Sequence, residues 1–405
     1  MMNTGHLASR PAHVPAELVF DFDLYNLPGA AEDVQAAFAA FQQRAPDIFW
    51  TPHNGGHWVA TRANDIVQMQ LDHRHFSHNQ IAVPAFPPGT PLVIPINLDP
   101  PEHTGYRRLL NQYMVPSAIT KLEARVRQVA IDAIERLVPQ GECEFIQDFS
   151  QVLPIDVFLS LVDLPIDAKK GLLPIAEQVT RGETQEIRVS GQAKMFEHLN
   201  DWVQSRRDNP GSDLLSQIVT WEIDGKRIGE AEAISYAAAI FFGGLDTVAG
   251  MSGFIALFLA RNPGHRRQLA ARLDDAAFMK NAVEELFRRH GLANTARLIT
   301  EDLEFGGVQF KAGDLVLPAN VFVGLDERIN PDPLTVDFNR EKPVHAIFGN
   351  GPHACPGATL ARREIRIFLE EWLARIPDFS VKPGTTPVMS SGVVSGIQRL
   401  ELVFS

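Results

Sequence analysis

Apolar residues recur three and four positions apart through AAEDVQAAFAAFQQ, PEHTGYRRLLNQYM, SAITKLEARVRQVAIDAIERLV, MFEHLNDWVQSRR and MKNAVEELFRRHG, and each stretch predicts a helix with one face in a core. The period shortens in DIFWTPHNGGHWVAT, where two β-rich pieces flank Asn-Gly-Gly and predict a hairpin. LEFGGVQF predicts a second hairpin and DLVLPAN another short strand. A last long helix is expected over 357–375, followed by short strands. Helical patterns dominate from 102 to 290, so the chain reads as mainly α with a minor β component.

Two stretches depart from these periods. PAFPPGTPLVIPINLDPPEH, 84–103, carries seven prolines between 84 and 101, and each fixes φ and removes a donor, so a long loop is expected. The apolar run AISYAAAIFFGGLDTVAGMSGFIALFLA, 233–260, is long enough to span a bilayer. Asp246 at its middle, four glycines, and the lack of Lys/Arg or aromatic framing at both ends favour a helix buried in a large core instead.

Composition narrows the class. The chain has 405 residues with 45% hydrophobic content, enough for a large core, and no internal repeat or low-complexity tract. Its two cysteines, Cys143 and Cys355, are far apart and form no metal-type cluster, which points to a reducing, cytoplasmic compartment. No secretory or anchoring pattern opens the N-terminus. A formal net charge of −12 argues against a nucleic-acid surface. No membrane partner is expected, and the chain is expected to be a monomer.

An isolated cysteine is most often a small buried hydrophobe, but the setting of Cys355 in FGNGPHACPG is unusual. With Pro356 at the first helical position, Cys355 would be the N-cap of the next helix, where free amides and the dipole would lower its pKa. Gly349, Gly351 and Gly357 permit a tight turn and close approach to something flat or bulky. Phe348, Gly351, His353, Cys355 and Gly357 together reproduce the Phe-x-x-Gly-x-His-x-Cys-x-Gly signature, and the loop resembles that of the cytochrome P450 family, the haem-thiolate monooxygenases.

The resemblance implies haem b with Cys355 as the iron ligand, dioxygen as co-substrate, and a single P450 domain over 21–405 behind a tail at 1–20, with the long central helix over the haem. Glu285 and Arg288 resemble the family's Glu-x-x-Arg pair, completed by Arg340 in a buried structural network. His103 and Arg107 lie four apart, on one helix face, and with Arg297 and His353 match the family's contacts to the haem propionates. Phe348, Gly351 and Gly357 would complete the cofactor cradle. GGLDT, 243–247, resembles the stretch over the distal face, and its two mid-helix glycines suggest a local widening of the helix. Asp246 and Thr247 would then carry protons inward from solvent, with Asp246 requiring a charged or water-mediated partner.

Within the family, GGLDTV, LDPPEH, GLDER, LARREI, IPDFS and SGVVSGIQ resemble the bacterial camphor-hydroxylase branch. The branch implies electrons from a 2Fe–2S ferredoxin, itself served by a ferredoxin reductase, docking near Arg74, Arg107, Arg108, Lys342 and Arg363. Camphor hydroxylases carry a tyrosine donor in the loop before Asp-Pro-Pro, but here Pro91 falls at that place and TPLVIPINLDPP has no tyrosine. The expected substrate is a different small apolar molecule, a larger terpenoid or norisoprenoid, in a pocket lined by Ala82, Ala239, Phe242, Ala293, Val393 and Val394. Pro356 replaces the aliphatic residue usual after the cysteine, so one amide near sulfur is lost and a lower haem potential is expected. Two other classes are less consistent with these residues. A cysteine-nucleophile hydrolase would need His353 as base and lacks an orienting third residue. A haem sensor or carrier without turnover could dispense with Asp246 and Thr247.

Overall fold

The computed structural model describes residues 7–162, 169–181 and 184–405. The helical readings take shape as Val34–Gln42, Glu102–Asn111, Pro116–Leu137, Gln185–Asp208, Glu230–Arg261, Ala276–Arg289 and Ala358–Arg375. Shorter helices that the periodicity did not single out, among them Ala63–Leu71, Val152–Leu161 and Pro263–Ala270, fill the gaps. The proline-rich stretch is irregular up to residue 101, as each missing donor requires.

Both hairpins form. Ile48–Thr51 pairs antiparallel with His57–Ala60, the turn between them carrying Asn54, Gly55 and Gly56 at positive φ, and Leu303–Phe305 pairs with Val308–Phe310. The first hairpin joins a five-stranded sheet through Leu315–Pro318, which runs parallel to His57–Ala60 and antiparallel to Arg297–Ile299. The last strand, Phe76–Ser77, pairs antiparallel with Arg297–Ile299, setting Phe76 opposite Ile299 and Ser77 opposite Leu298. That register carries residue 78 to the level of Arg297. Residues 8–19 reach the hairpin, with Ala8 N donating to Pro52 O and Val14 fully buried.

The apolar helix Glu230–Arg261 is long and apolar enough to cross a membrane, yet its most apolar stretch is mostly buried inside the protein. It runs through two separate cores. Ala233 to Leu245 pack with Ile155, Leu199, Leu215 and Trp221, while Val248 to Ala260 belong to the other core, where the helix meets Phe379–Val381, Gly396–Arg399 and Ala358–Arg375 side chains such as Phe368 and Trp372. The helix therefore changes core between Leu245 and Val248, within GGLDT. It keeps continuous α-helical form there, so the widening expected from the two glycines is not present: Thr247 Oγ1 donates to Gly243 O at 2.9 Å along an intact ladder. A hydroxyl bonding four residues back satisfies itself within the helix and needs no bulge.

The Glu-x-x-Arg pair is a buried structural network. Glu285 and Arg288 are fully buried, with Arg288 Nε 2.7 Å from Glu285 Oε2 and Nη2 2.9 Å from Oε1. Arg340 Nε reaches both carboxylate oxygens at 3.1 Å, and Asp337 N donates to Oε1 at 2.9 Å. Arg288 also donates to the carbonyls of Gly324, Pro333 and Thr335, which ties the segment 324–340 to the helix ahead of the cysteine loop. Only glycine fits at 324, because a Cβ there would lie 2.1 Å from Arg288 O.

Candidate active site

Residues 348–357 form a compact loop over the helix Ala63–Leu71. Cys355 N donates to Phe348 O at 2.7 Å, and Ala354 N to Gly351 O at 3.1 Å. Gly351 has φ +67°, and a Cβ on it would come within 2.8 Å of Gln70 O, so both conformation and space select glycine. Phe348 packs edge-on against Phe287 at 5.4 Å and carries the Arg362 guanidinium 4.4 Å above its ring. A Cβ on Gly357 would lie 3.8 Å from Cys355 Sγ, placing that glycine beside the sulfur.

The structure corrects the expected capping. The helix begins at Ala358 with Gly357 as its N-cap, so Cys355 precedes the cap and Pro356 lies outside the helix. The free amides still reach the sulfur, from Gly357 and Ala358. Cys355 is an exposed residue, yet enough protein packs around its thiol to desolvate it. Burial pushes its pKa above the ordinary value, outweighing these two amides and the charges of Arg107 and Arg362, so the net lowering expected from the helix N-terminus does not hold. Deprotonation here needs a cation at sulfur, which a metal supplies. Among the described residues no group of His, Cys, Asp or Glu is arranged to hold a metal ion. A lone thiolate suits an iron whose other ligands come from its own macrocycle.

Beside this loop, polar groups gather that the fold leaves short of acceptors. Arg297 is buried and donates only to neutral oxygens: Thr295 O at 3.1 Å, Thr295 Oγ1 at 2.9 Å and Ala296 O at 2.8 Å. Burial lowers its pKa to about 9, and its Nε has no partner. His103 Nε2 is also buried without a partner, and burial with neighbouring positive groups lowers its pKa to about 4. The His353 ring lies 4.4 Å from that of His103, and its Nε2 has Asp99 Oδ1 only at 3.4 Å. Arg107, on the same helix as His103, donates to Asn111 Oδ1 at 2.8 Å and to Ala354 O, the carbonyl before the cysteine. One carboxylate faces this set. Burial raises Asp99, yet His353, Ser77 Oγ and the His78 amide hold it below its ordinary value on balance. A buried guanidinium without a carboxylate partner is costly unless an anion reaches it. The set therefore fits the two carboxylates of haem, as the resemblance implied.

The long helix presents Gly243 and Gly244 as exposed residues in an otherwise buried stretch, and a Cβ on either would meet nothing within 4 Å. Asp246 and Thr247 follow, both half-buried. Asp246 is not an isolated charge. The glycine step thus leaves open space beside the long helix, enough for a bulky group to approach its backbone.

The predicted substrate residues separate into two groups. Ala293 pairs with Val394 through an isolated antiparallel bridge, Asn294 N donates to Val393 O at 2.7 Å, and Ala296 N to Ile81 O at 2.9 Å. Ala82, Ala293, Val393 and Val394 are thereby brought together. Ala239 and Phe242 lie on the long helix, where Phe242 meets Phe241 edge-on at 5.6 Å in the other core. A surface cleft of about 430 Å³ between residues 8–11, the first hairpin and Asp314 contains none of the six.

Of the basic residues expected to meet a partner, Arg74, Arg108 and Lys342 are exposed. Arg363 is half-exposed and pairs with Glu123 at 3.1 Å. Arg107 is corrected: its two bonds draw it into the cysteine loop, so it is not a free surface cation. Asp99 and His78 were missed by the sequence reading. Asp99 stands in the LDPP segment quoted for the resemblance, which was the available signal; His78 had none.

Comparison with known proteins bears on the chain as a whole. The family model described as Cytochrome P450 matches residues 170–402. A probable cytochrome P450 127A1 of Sinorhizobium fredii is 35% identical, the match covering 98% of this chain and 97% of that protein. Two crystal structures, of CYP101J2 and cytochrome P450 CYP101C1, superpose with a TM-score of 0.89 each, at 35% and 34% identity, covering 98% of this chain and 100% of theirs.

Proposed function

The chain belongs to the cytochrome P450 family and is a haem b-dependent monooxygenase, and on that premise we propose that it hydroxylates a small apolar terpenoid or norisoprenoid with electrons from a 2Fe–2S ferredoxin. When bound, haem b supplies the activation of dioxygen and the insertion of one oxygen atom into a C–H bond. The observation that carries the reading is Cys355, an exposed residue whose sulfur is served by the amides of Gly357 and Ala358.

Around it each residue has a defined task. Cys355 would ligate the iron as thiolate. Arg107, Arg297, His103 and His353 would hold the propionates, which would meet the demand of Arg297 for an anion. Thr247, once its hydroxyl leaves Gly243 O, would hold a proton at Oγ1, and Asp246 would replenish it from solvent. Glu285, Arg288 and Arg340 fix the backbone that carries the cysteine loop.

The substrate reading rests on the sequence. Pro91 stands where a camphor hydroxylase has its tyrosine donor, so no hydroxyl there can select a ketone. Ala82, Ala293, Val393 and Val394 present small apolar side chains from segments joined by backbone bonds, and Phe242 and Ala239 would add to the lining from the long helix. The ferredoxin docks near Arg74, Arg108, Lys342 and Arg363, and a cytoplasmic setting supplies it and its reductase.

The test has two stages. The purified protein with haem should give the strongly red-shifted ferrous carbon monoxide band of thiolate ligation, and Cys355→His should lose it. Camphor and ionone-type compounds are then compared by the haem spin-state shift. The larger ligands should shift it more; a full shift by camphor alone would overturn the substrate class.

A further inference from the structure

We propose that His78 is a further cofactor-binding residue, whose ring N–H donates to the carboxylates at the haem edge beside Arg297, His103 and His353. The inference rests on the haem reading above and extends it to a residue that the Phe-x-x-Gly-x-His-x-Cys-x-Gly and His-x-x-x-Arg patterns do not contain.

The backbone fixes this histidine from both sides. The antiparallel register of Phe76–Ser77 with Arg297–Ile299 brings it level with Arg297. Its own N donates to Asp99 Oδ1 at 3.1 Å, and its O accepts from Asn97 Nδ2 at 3.2 Å. The ring is 6% exposed and lies flat on that of His353, with centroids 3.5 Å apart and planes 9° from parallel. Among the described residues neither ring nitrogen has a hydrogen bond of ordinary geometry, although the Ile96 carbonyl lies near enough to act on the ring, which leaves at least one nitrogen unserved. A buried imidazole held this firmly and left unpaired is unusual, because such a nitrogen has given up water without compensation.

The neighbours say what would satisfy it. Arg297 Nε, His103 Nε2 and His353 Nε2 are likewise buried without a close acceptor. The nearby carboxylate, Asp99, already receives Ser77 Oγ and the His78 amide and faces His353. Among the described residues these four groups thus share one carboxylate that is already engaged. A ligand bringing several negatively charged oxygens satisfies all of them, and haem brings two carboxylates. Burial and the charge of Arg297 keep the His78 ring neutral, so it offers one N–H without repelling the guanidinium. The stack on His353 makes the two histidines one rigid wall.

The test uses the haem-loaded enzyme. His78→Phe keeps a flat ring on His353 and removes the N–H; His78→Gln keeps a donor and removes the stack. Haem transfer to apomyoglobin should be about tenfold or more faster for the Phe variant, as expected for a lost charge-assisted bond. Its reduction potential should fall, since the propionates keep more negative charge, and the Gln variant should recover most of both. Unchanged transfer and potential in the Phe variant, or a Gln variant as leaky as Phe, would overturn the proposal. As a check free of substitution, the His78 ring N–H resonance of the ferrous carbon monoxide form is compared for haem and its dimethyl ester. It should move between them, and an unmoved resonance overturns the proposal even if the Phe variant does not fold. Failure of the unaltered protein to give the thiolate-type carbon monoxide band would instead sink the haem reading itself.

Discussion

Arg288 lies wholly buried against Glu285, Nε to Oε2 at 2.7 Å, and the same carboxylate also takes Arg340. One negative charge thus serves two guanidinium groups inside the protein. Glu285→Gln leaves both uncompensated, and a loss of about 3–5 kcal/mol of stability is expected. Urea unfolding of the haem-loaded protein measures it, and haem content should fall in parallel because the network anchors the segment leading to the cysteine loop. A variant within about 0.5 kcal/mol of the parent, the range of ordinary surface changes, would contradict this role.

Proton delivery should depend on Asp246 more than on the fold around it. Asp246→Asn keeps size and polarity but cannot release a proton, so turnover is expected to fall by about 100-fold. The position of the ferrous carbon monoxide band and the substrate spin shift should be unchanged. Oxygen uptake and product yield, measured with a ferredoxin system, separate slow turnover from lost binding.

Pro356 removes one amide near Cys355, while those of Gly357 and Ala358 remain directed at the sulfur. Pro356→Leu restores a third possible donor, which should draw electron density from the thiolate and raise the haem reduction potential. Potentiometry decides it, and a potential that stays put or falls would show that the position-356 amide does not reach sulfur.

Glu364 is buried on the helix Ala358–Arg375, and burial alone pushes its pKa from 4.5 to about 8. In the unfolded chain the carboxyl ionises near 4.5, whereas the native protein keeps its proton to about pH 8. Between those values the native state binds more protons, so stability falls as pH rises through that window and no penalty exists below it. Glu364→Gln should therefore be more stable than the parent by on the order of a few kcal/mol at pH 8, and equal to it below pH 4.5. Denaturant midpoints across this range test the sign and the window, and a constant difference at all pH values would refute it.

Reading the chain as sequence located the cysteine loop, the Glu-x-x-Arg pair and the glycine step, because each is set by spacing within one segment. Phe348 to Gly357 is a single turn-rich stretch, and its glycines report backbone demands that are local. The hairpin at Asn54 to Gly56 and the irregular proline segment are legible for the same reason. His78 is different. Nothing near it in sequence marks it, and its place beside Arg297 exists only because Phe76–Ser77 pairs with a strand more than two hundred residues later.

The chain by itself thus determined which groups could do chemistry and roughly which helices and strands carry them, since periodicity and turn composition act over a few residues. Tertiary structure decided the rest. It starts the helix at Ala358 rather than at Pro356, and it draws Arg107 into the cysteine loop through Ala354. It raises the Cys355 thiol where the helix end alone would lower it, because desolvation sums over every atom packed around the sulfur, whatever its distance along the chain.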